Sequence, residues 1–118
     1  MTSLASAPPR GLAPWLLVAF AAGCAGPLPR AEAQFADGDY PDAKQSLAAL
    51  EAESGTWDDG KRAEYALYRG LTHAALGDRE QADAWLRKAK AIEEAHAGSL
   101  SHEDAQRLKV ALESNEAP

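Results

Sequence analysis

A glycine–aspartate turn occurs twice in this chain, and it restricts the fold more than any other feature. Gly77-Asp78-Arg79-Glu80-Gln81-Ala82 stands 39 residues after Gly38-Asp39-Tyr40-Pro41-Asp42-Ala43. The register extends well beyond the turns. Phe35-x-x-Gly38-Asp39-Tyr40-x-x-Ala43-x-x-x-Leu47-x-x-Leu50 aligns with Ala74-x-x-Gly77-Asp78-Arg79-x-x-Ala82-x-x-x-Leu86-x-x-Ala89. Glycine reverses the chain after one helix, and aspartate caps the next. The small alanine lets the second helix approach the first, and the larger apolar residue four positions on fills the groove between them. A self-similar helix–turn–helix spacing is the mark of stacked hairpins.

The helices on either side are amphipathic. Ala31 and Phe35 precede the first turn. Ala43, Leu47 and Leu50 form a stripe after it, with Pro41 in the first turn, where a missing N–H costs nothing. Ser54-Gly55 ends that helix. Thr56-Trp57-Asp58-Asp59 has capping-box spacing and opens the next one with Thr56 as N-cap. A later start near Lys61 is the alternative, because Gly60 is a poor helix former. Ala63, Leu67, Gly70, Leu71, Ala74 and Ala75 are expected on one inward face. After the second turn, Ala82, Leu86, Ala89 and Ile92 point inward, and Arg79, Arg87, Lys88 and Lys90 face water. Gly98 fits a helix end. Ser101-His102-Glu103-Asp104 opens a last helix burying Ala105, Leu108, Ala111 and Leu112. No strand alternation competes, so the expected fold is all-α: antiparallel hairpins stacked as an array of about five helices.

Upstream the composition changes. Residues 1–14 are rich in Ser, Ala and Pro with one charge, Arg10, and Trp15 to Ala22 is an uninterrupted apolar run. That run is too short to cross a hydrocarbon core, which takes ~20 helical residues. A basic start, a short apolar core and small residues before a cleavage point are the parts of a secretory signal. Eleven basic and 18 acidic residues follow Cys24, a formal charge of −7. This acidity argues against duplex nucleic acid and against electrostatic attachment to an anionic leaflet. The single cysteine allows no internal disulfide.

Ala21-Ala22-Gly23-Cys24 resembles the lipoprotein box of bacterial lipoproteins, in which small residues precede an obligatory cysteine. That family more often has Leu at the place of Ala21. The resemblance implies that residues 1–23 are a cleaved signal peptide and that Cys24 becomes the acylated N-terminus. An ordinary secreted protein or a membrane anchor is the alternative. Ala25 is not Asp, which by the same resemblance implies an outer-membrane address facing the periplasm. Residues 24–30, with Pro27 and Pro29, are then a short tether of at most ~20–25 Å at 3.3–3.6 Å per residue.

Residues 31–97 are similar to the tetratricopeptide repeat, a helix–turn–helix unit. Gly70, Ala82 and Ala89 stand at its small positions and Leu86 at its large one; Ala31, Gly38, Tyr40, Ala43 and Leu47 stand in the first unit. The family's aromatic pair in the first helix corresponds here to Ala66 and His73, and no closing proline follows. The resemblance implies a non-catalytic groove, lined by first helices, that binds a protein or peptide partner. Glu64, Leu67, Tyr68, Leu71 and Ala75 would line it, and Arg69 and Trp57 are residue types favoured at interfaces. The competing reading packs these residues between neighbouring helices. Residues 98–118 read as a capping helix and tail.

Sites for chemistry are sparse. His73 aligns with a core position of the repeat. Glu93-x-x-His96 has a spacing used in di-iron bundles, but the second copy and further glutamates that such a site needs are not evident. His96 is expected at the carbonyl end of its helix and His102 toward solvent. No nucleophile–base set, phosphate-cradling loop or Cys/His metal spacing occurs. The expectation is therefore no enzyme, no metal and no cofactor beyond the lipid on Cys24. It is instead a lipid-anchored adaptor in the cell envelope that binds a protein or peptide partner or its own copy. A structural envelope lipoprotein, or a small accessory subunit of a transport or secretion assembly, is the alternative.

Overall fold

The computed structural model describes residues 26–118, so the signal peptide of 1–23 and the acylation of Cys24 lie outside the described residues. The described chain is helical throughout its ordered elements: α1 (Pro27–Ala36), α2 (Tyr40–Ala49), α3 (Glu51–Ser54), α4 (Asp59–Ala75), α5 (Arg79–Ala95) and α6 (His102–Glu116). α1 pairs with α2 and α4 with α5. α4 also touches α1, α2 and α6, so it is the central element.

The repeated turns fold identically. Gly38 and Gly77 both take φ 83°, the left-handed region that glycine enters without a Cβ clash. After α1, the Gly38 N–H donates to Phe35 O and the Asp39 N–H to Gln34 O; after α4, Gly77 donates to Ala74 O and Asp78 to His73 O. These paired bonds satisfy the last carbonyls of each helix in a Schellman motif. The caps that follow differ. Asp78 accepts from the Gln81 N–H at 3.2 Å, whereas Asp39 makes no side-chain cap bond. Pro41 at the second helical position has no N–H to offer, which removes one of the two usual donors.

Three boundaries depart from expectation. The tether to residue 30 is helical from Pro27: three of the first residues are Pro27, Leu28 and Pro29, and prolines are tolerated where N–H groups lack intrahelical partners. The helix expected from the Pro41 turn to Ser54-Gly55 divides at Leu50, whose N–H tightens onto Leu47 O at 3.0 Å. Asp58, not Thr56, caps α4, accepting from Lys61 N at 2.9 Å. Thr56 instead turns back and donates to Glu53 O at 2.8 Å, closing α3. The last helix begins as expected, with Ser101 Oγ accepting from Asp104 N at 3.1 Å.

Two apolar clusters form the core. One joins α4, α5 and α6 through Ala63, Ala66, Leu67, Ala82, Leu86, Ala89, Ile92, Leu100 and Leu108. The other joins α1, α2 and α4 through Leu28, Ala31, Leu47, Leu50 and Tyr65. Helix α4 is buried on two sides, and this corrects its expected single face. Tyr65, Ala66, Thr72 and His73 are buried, while Ala74 and Ala75 are exposed. Tyr65 bridges the clusters. Its hydroxyl donates to Leu47 O at 2.6 Å, and its ring meets Trp57 and Trp85 edge-on, with centroids at 5.5 and 5.8 Å.

Candidate functional site

Helices α1, α4 and α6 each lend a side to one open groove. Its volume is about 740 Å³, and its lining includes Phe35 from α1, Leu71 from α4, and Arg107, Val110 and Ala111 from α6. Val110 is 61% exposed, the most accessible large apolar side chain among the described residues. The groove exists because α6 packs on α5 through Leu108 and projects the next turn, Val110 and Ala111, toward α1. The far end of α6 is held by Arg79, whose guanidinium donates to the carbonyls of Asn115 and Ala117. Arg79 is therefore exposed but tied down, a cation placed on the negative end of a helix.

Tyr68 stands between groove and core. Its ring packs edge-on to Phe35 at 5.7 Å and 87°, and its hydroxyl accepts from Arg107 Nη1 at 3.1 Å. Arg107 also bonds Asp104 at 2.9 Å and pairs with Glu103 at 3.2 Å. Beside this network stands Glu32 of α1, and burial, with Glu64 of α4 and Asp104 nearby, pushes its carboxyl up to about 9. Its Oε2 is shut off from solvent and makes no hydrogen bond.

The residues expected in a binding groove separate into three places. Leu71 lines the groove, Tyr68 borders it and Glu64 lies beside it. Leu67 is fully buried in the α4–α5–α6 cluster, so it serves the core and offers no contact surface. Trp57 and Arg69 belong to another face. Arg69 donates to Glu51 Oε1 at 2.7 Å and lies over the Trp85 ring at 4.2 Å; that bond holds the Glu51 carboxyl below its ordinary range. Trp57 is half-buried, with the Lys61 ammonium 4.2 Å above its ring. Trp85 packs on Tyr65 and Arg69 of α4.

Sequence reasoning missed Phe35, Val110 and Arg107 as groove residues. Val110 carried a usable signal, because it is an apolar residue off the Ala105–Leu108–Leu112 stripe.

The histidines have structural surroundings. His73 is buried, with Nδ1 making no hydrogen bond and lying 3.8 Å from Asp78 Oδ2, and burial pushes its pKa down. The Glu93 carboxylate accepts from the N–H groups of Gly98 and Leu100, each at 2.8 Å, which closes the loop before α6. His96 leaves its own helix end and approaches Asp59 at 3.4 Å. Among the described residues, no group of three or more His, Cys, Asp or Glu side chains is arranged to hold a metal ion. No described helix is long and apolar enough to cross a membrane. No family model, curated protein or solved structure matches this chain.

Proposed function

We propose that this chain is a lipid-anchored, non-catalytic adaptor of a bacterial cell envelope, built on tetratricopeptide-like helix pairs. The observation that carries the reading is the apolar groove shared by α1, α4 and α6, with Phe35, Leu71 and Val110 on its walls. A groove formed by the first helices of stacked pairs is where an amphipathic segment can lay an apolar face. The matching hydrogen bonds at the two Gly-Asp turns support repetition of one structural unit.

The anchor rests on Ala21-Ala22-Gly23-Cys24. If Cys24 is acylated, only Ala25 and Gly26 separate it from α1. Two or more acyl chains give stable attachment, at ~0.8 kcal/mol per buried CH₂. The groove then works within a short distance of the bilayer, on a protein or peptide partner of the periplasm or of the membrane itself.

A photocrosslinking residue at Val110, in native cells, tests the adaptor. A discrete adduct is expected from Val110, absent with the same residue at exposed Ala48 and lost on adding Phe35→Asp. No adduct, or the same adduct from both positions, removes the reading. Fatty-acid labelling of the wild type and of Cys24→Ser tests the anchor separately; label retained by Cys24→Ser refutes it.

A further inference from the structure

A second, smaller hollow opens between the end of α3 and helices α4 and α5, and it shares no lining residue with the groove. Its volume is about 180 Å³. Tyr65, Ala66, Trp85 and Ile92 give it apolar and aromatic walls, and Arg62 and Lys88 give it charge. Among the described residues, its lining includes no carboxylate. In a chain where 18 acidic residues stand against 11 basic ones after Cys24, a hollow lined by cations alone is a local reversal of sign.

The cations here differ in how far they are already engaged. Arg62 donates to Asp59 at 2.8 Å. Arg69, 4.2 Å over the Trp85 ring, is balanced by Glu51 at 2.7 Å. The Lys88 ammonium lies 4.9 Å from the centroid of the same ring. Among the described residues it joins no ion pair. One uncompensated positive charge therefore stands at an indole wall, where low-dielectric surroundings strengthen its field.

We propose that this hollow binds an apolar carboxylate, with the carboxylate at Lys88 and Arg62 and the apolar group against Trp85, Ala66 and Ile92. One unbalanced cation matches a monoanion and falls short of a phosphate dianion. The small volume limits the apolar part to about one side chain, since sites for drug-sized ligands take ~300–1,000 Å³. Neither cation gives up its present contact. An ammonium over a ring has N–H groups left to donate, and a guanidinium bonded to one carboxylate can still offer its other N–H groups to a second. The same chemistry is carried by a peptide that ends in an aliphatic residue and by a free short-chain acid.

Three probes share an isobutyl group: N-acetyl-leucine, its neutral amide N-acetyl-leucinamide, and isocaproate. Full-length protein carrying Cys24→Ser is titrated with each, and the Trp85 indole N–H and Ile92 methyl resonances are followed. Acetyl-leucine is expected to bind about tenfold tighter than the amide, the margin of a charge-assisted contact over a neutral one. Lys88→Gln should abolish that margin and leave the weak amide binding, which also shows that the hollow is still formed. Lys90→Gln, on the same helix and paired with Glu94 at 3.9 Å, should keep it. Acetyl-leucine binding tighter than isocaproate marks a peptide end as the source, and the reverse order marks a free acid. Equal affinities for acetyl-leucine and its amide, or a margin that survives Lys88→Gln, overturn the proposal. So does the absence of any response at Trp85 and Ile92, and none of these results bears on the Val110 crosslink.

Discussion

Replacing Gly70 with alanine sets two effects of known sign against each other. A Cβ at Gly70 would lie 2.6 Å from both Cγ and Cδ2 of Leu86, and 3.1 Å from the Leu86 backbone nitrogen. Carbon atoms pack comfortably at ~3.5–4.0 Å, so the new methyl intrudes by about 1 Å. Leu86 is fully buried and cannot swing away. Overpacking a filled core costs ~1–3 kcal/mol, and a conflict with atoms this close to the backbone belongs at the upper end. Alanine returns ~1 kcal/mol of helix propensity. The net expectation is a loss of about 2 kcal/mol, or ~8–16 °C in Tm for a domain of this size.

Urea unfolding followed by fluorescence of Trp57 and Trp85 would measure it. Leu86→Ala provides the decisive background. By itself it should cost ~2–5 kcal/mol, but it removes the two carbons that the methyl strikes. In that background Gly70→Ala should become neutral or stabilising by up to ~1 kcal/mol, a reversal that a double-mutant cycle reads directly. A stabilising Gly70→Ala in the wild type, or the same effect in both backgrounds, would refute the claim that close helix approach is what requires glycine here.

Further outcomes are expected elsewhere. Glu32 is raised to about 9 in the fold, so its contribution is fully present below the unfolded carboxyl range and is lost as pH rises toward 9. Glu32→Gln should therefore flatten the fall in stability between about pH 5 and 9, with a difference of ~1 kcal/mol or more at the alkaline end, since one pKa unit corresponds to ~1.4 kcal/mol. Thermal melts across that range check it. His73 works in the opposite direction. Its pKa is lowered by burial, so its contribution is present above the ordinary histidine range and is lost on acidification. His73→Asn should weaken the acid dependence of the melts. Tyr65→Phe removes the buried bond to Leu47 O and should cost ~1 kcal/mol in urea unfolding. Asp78→Ala removes the α5 cap at ~0.5–2 kcal/mol, whereas Asp39→Ala, which loses no cap bond, should cost measurably less.

Much of the helical plan could be read from spacing, because the Gly-Asp turns encode a local hydrogen-bond pattern that does not depend on distant contacts. The inward residues of α5 were legible for a similar reason: that helix buries a single stripe, so its period survives in the sequence. Helix α4 was harder. Burial on both sides overlays two stripes, and Tyr65 then looks no different from a solvent-facing aromatic. Thr56 was misread because threonine caps a following helix and closes a preceding one with the same hydroxyl. The groove was only half visible, since Phe35 and Val110 meet on one surface only after three helices have docked. The burial that raises Glu32 comes only with helix docking and left no pattern at all.

The central place of α4 also bears on the order of assembly. Its pairing with α5 is local, across the Gly77 turn, and local contacts close early and rapidly. Docking of α1 against α4, and of α6 against α5, closes longer loops. The groove has one wall from each of α1, α4 and α6, so it is completed only when the slowest helix arrives. An intermediate holding just the α4–α5 hairpin would contain Ala63, Ala66, Leu67, Ala82, Leu86 and Ala89 of the core, yet would lack two of the three walls of the groove. If the groove is where a partner docks, as proposed above, recognition would report on complete folding.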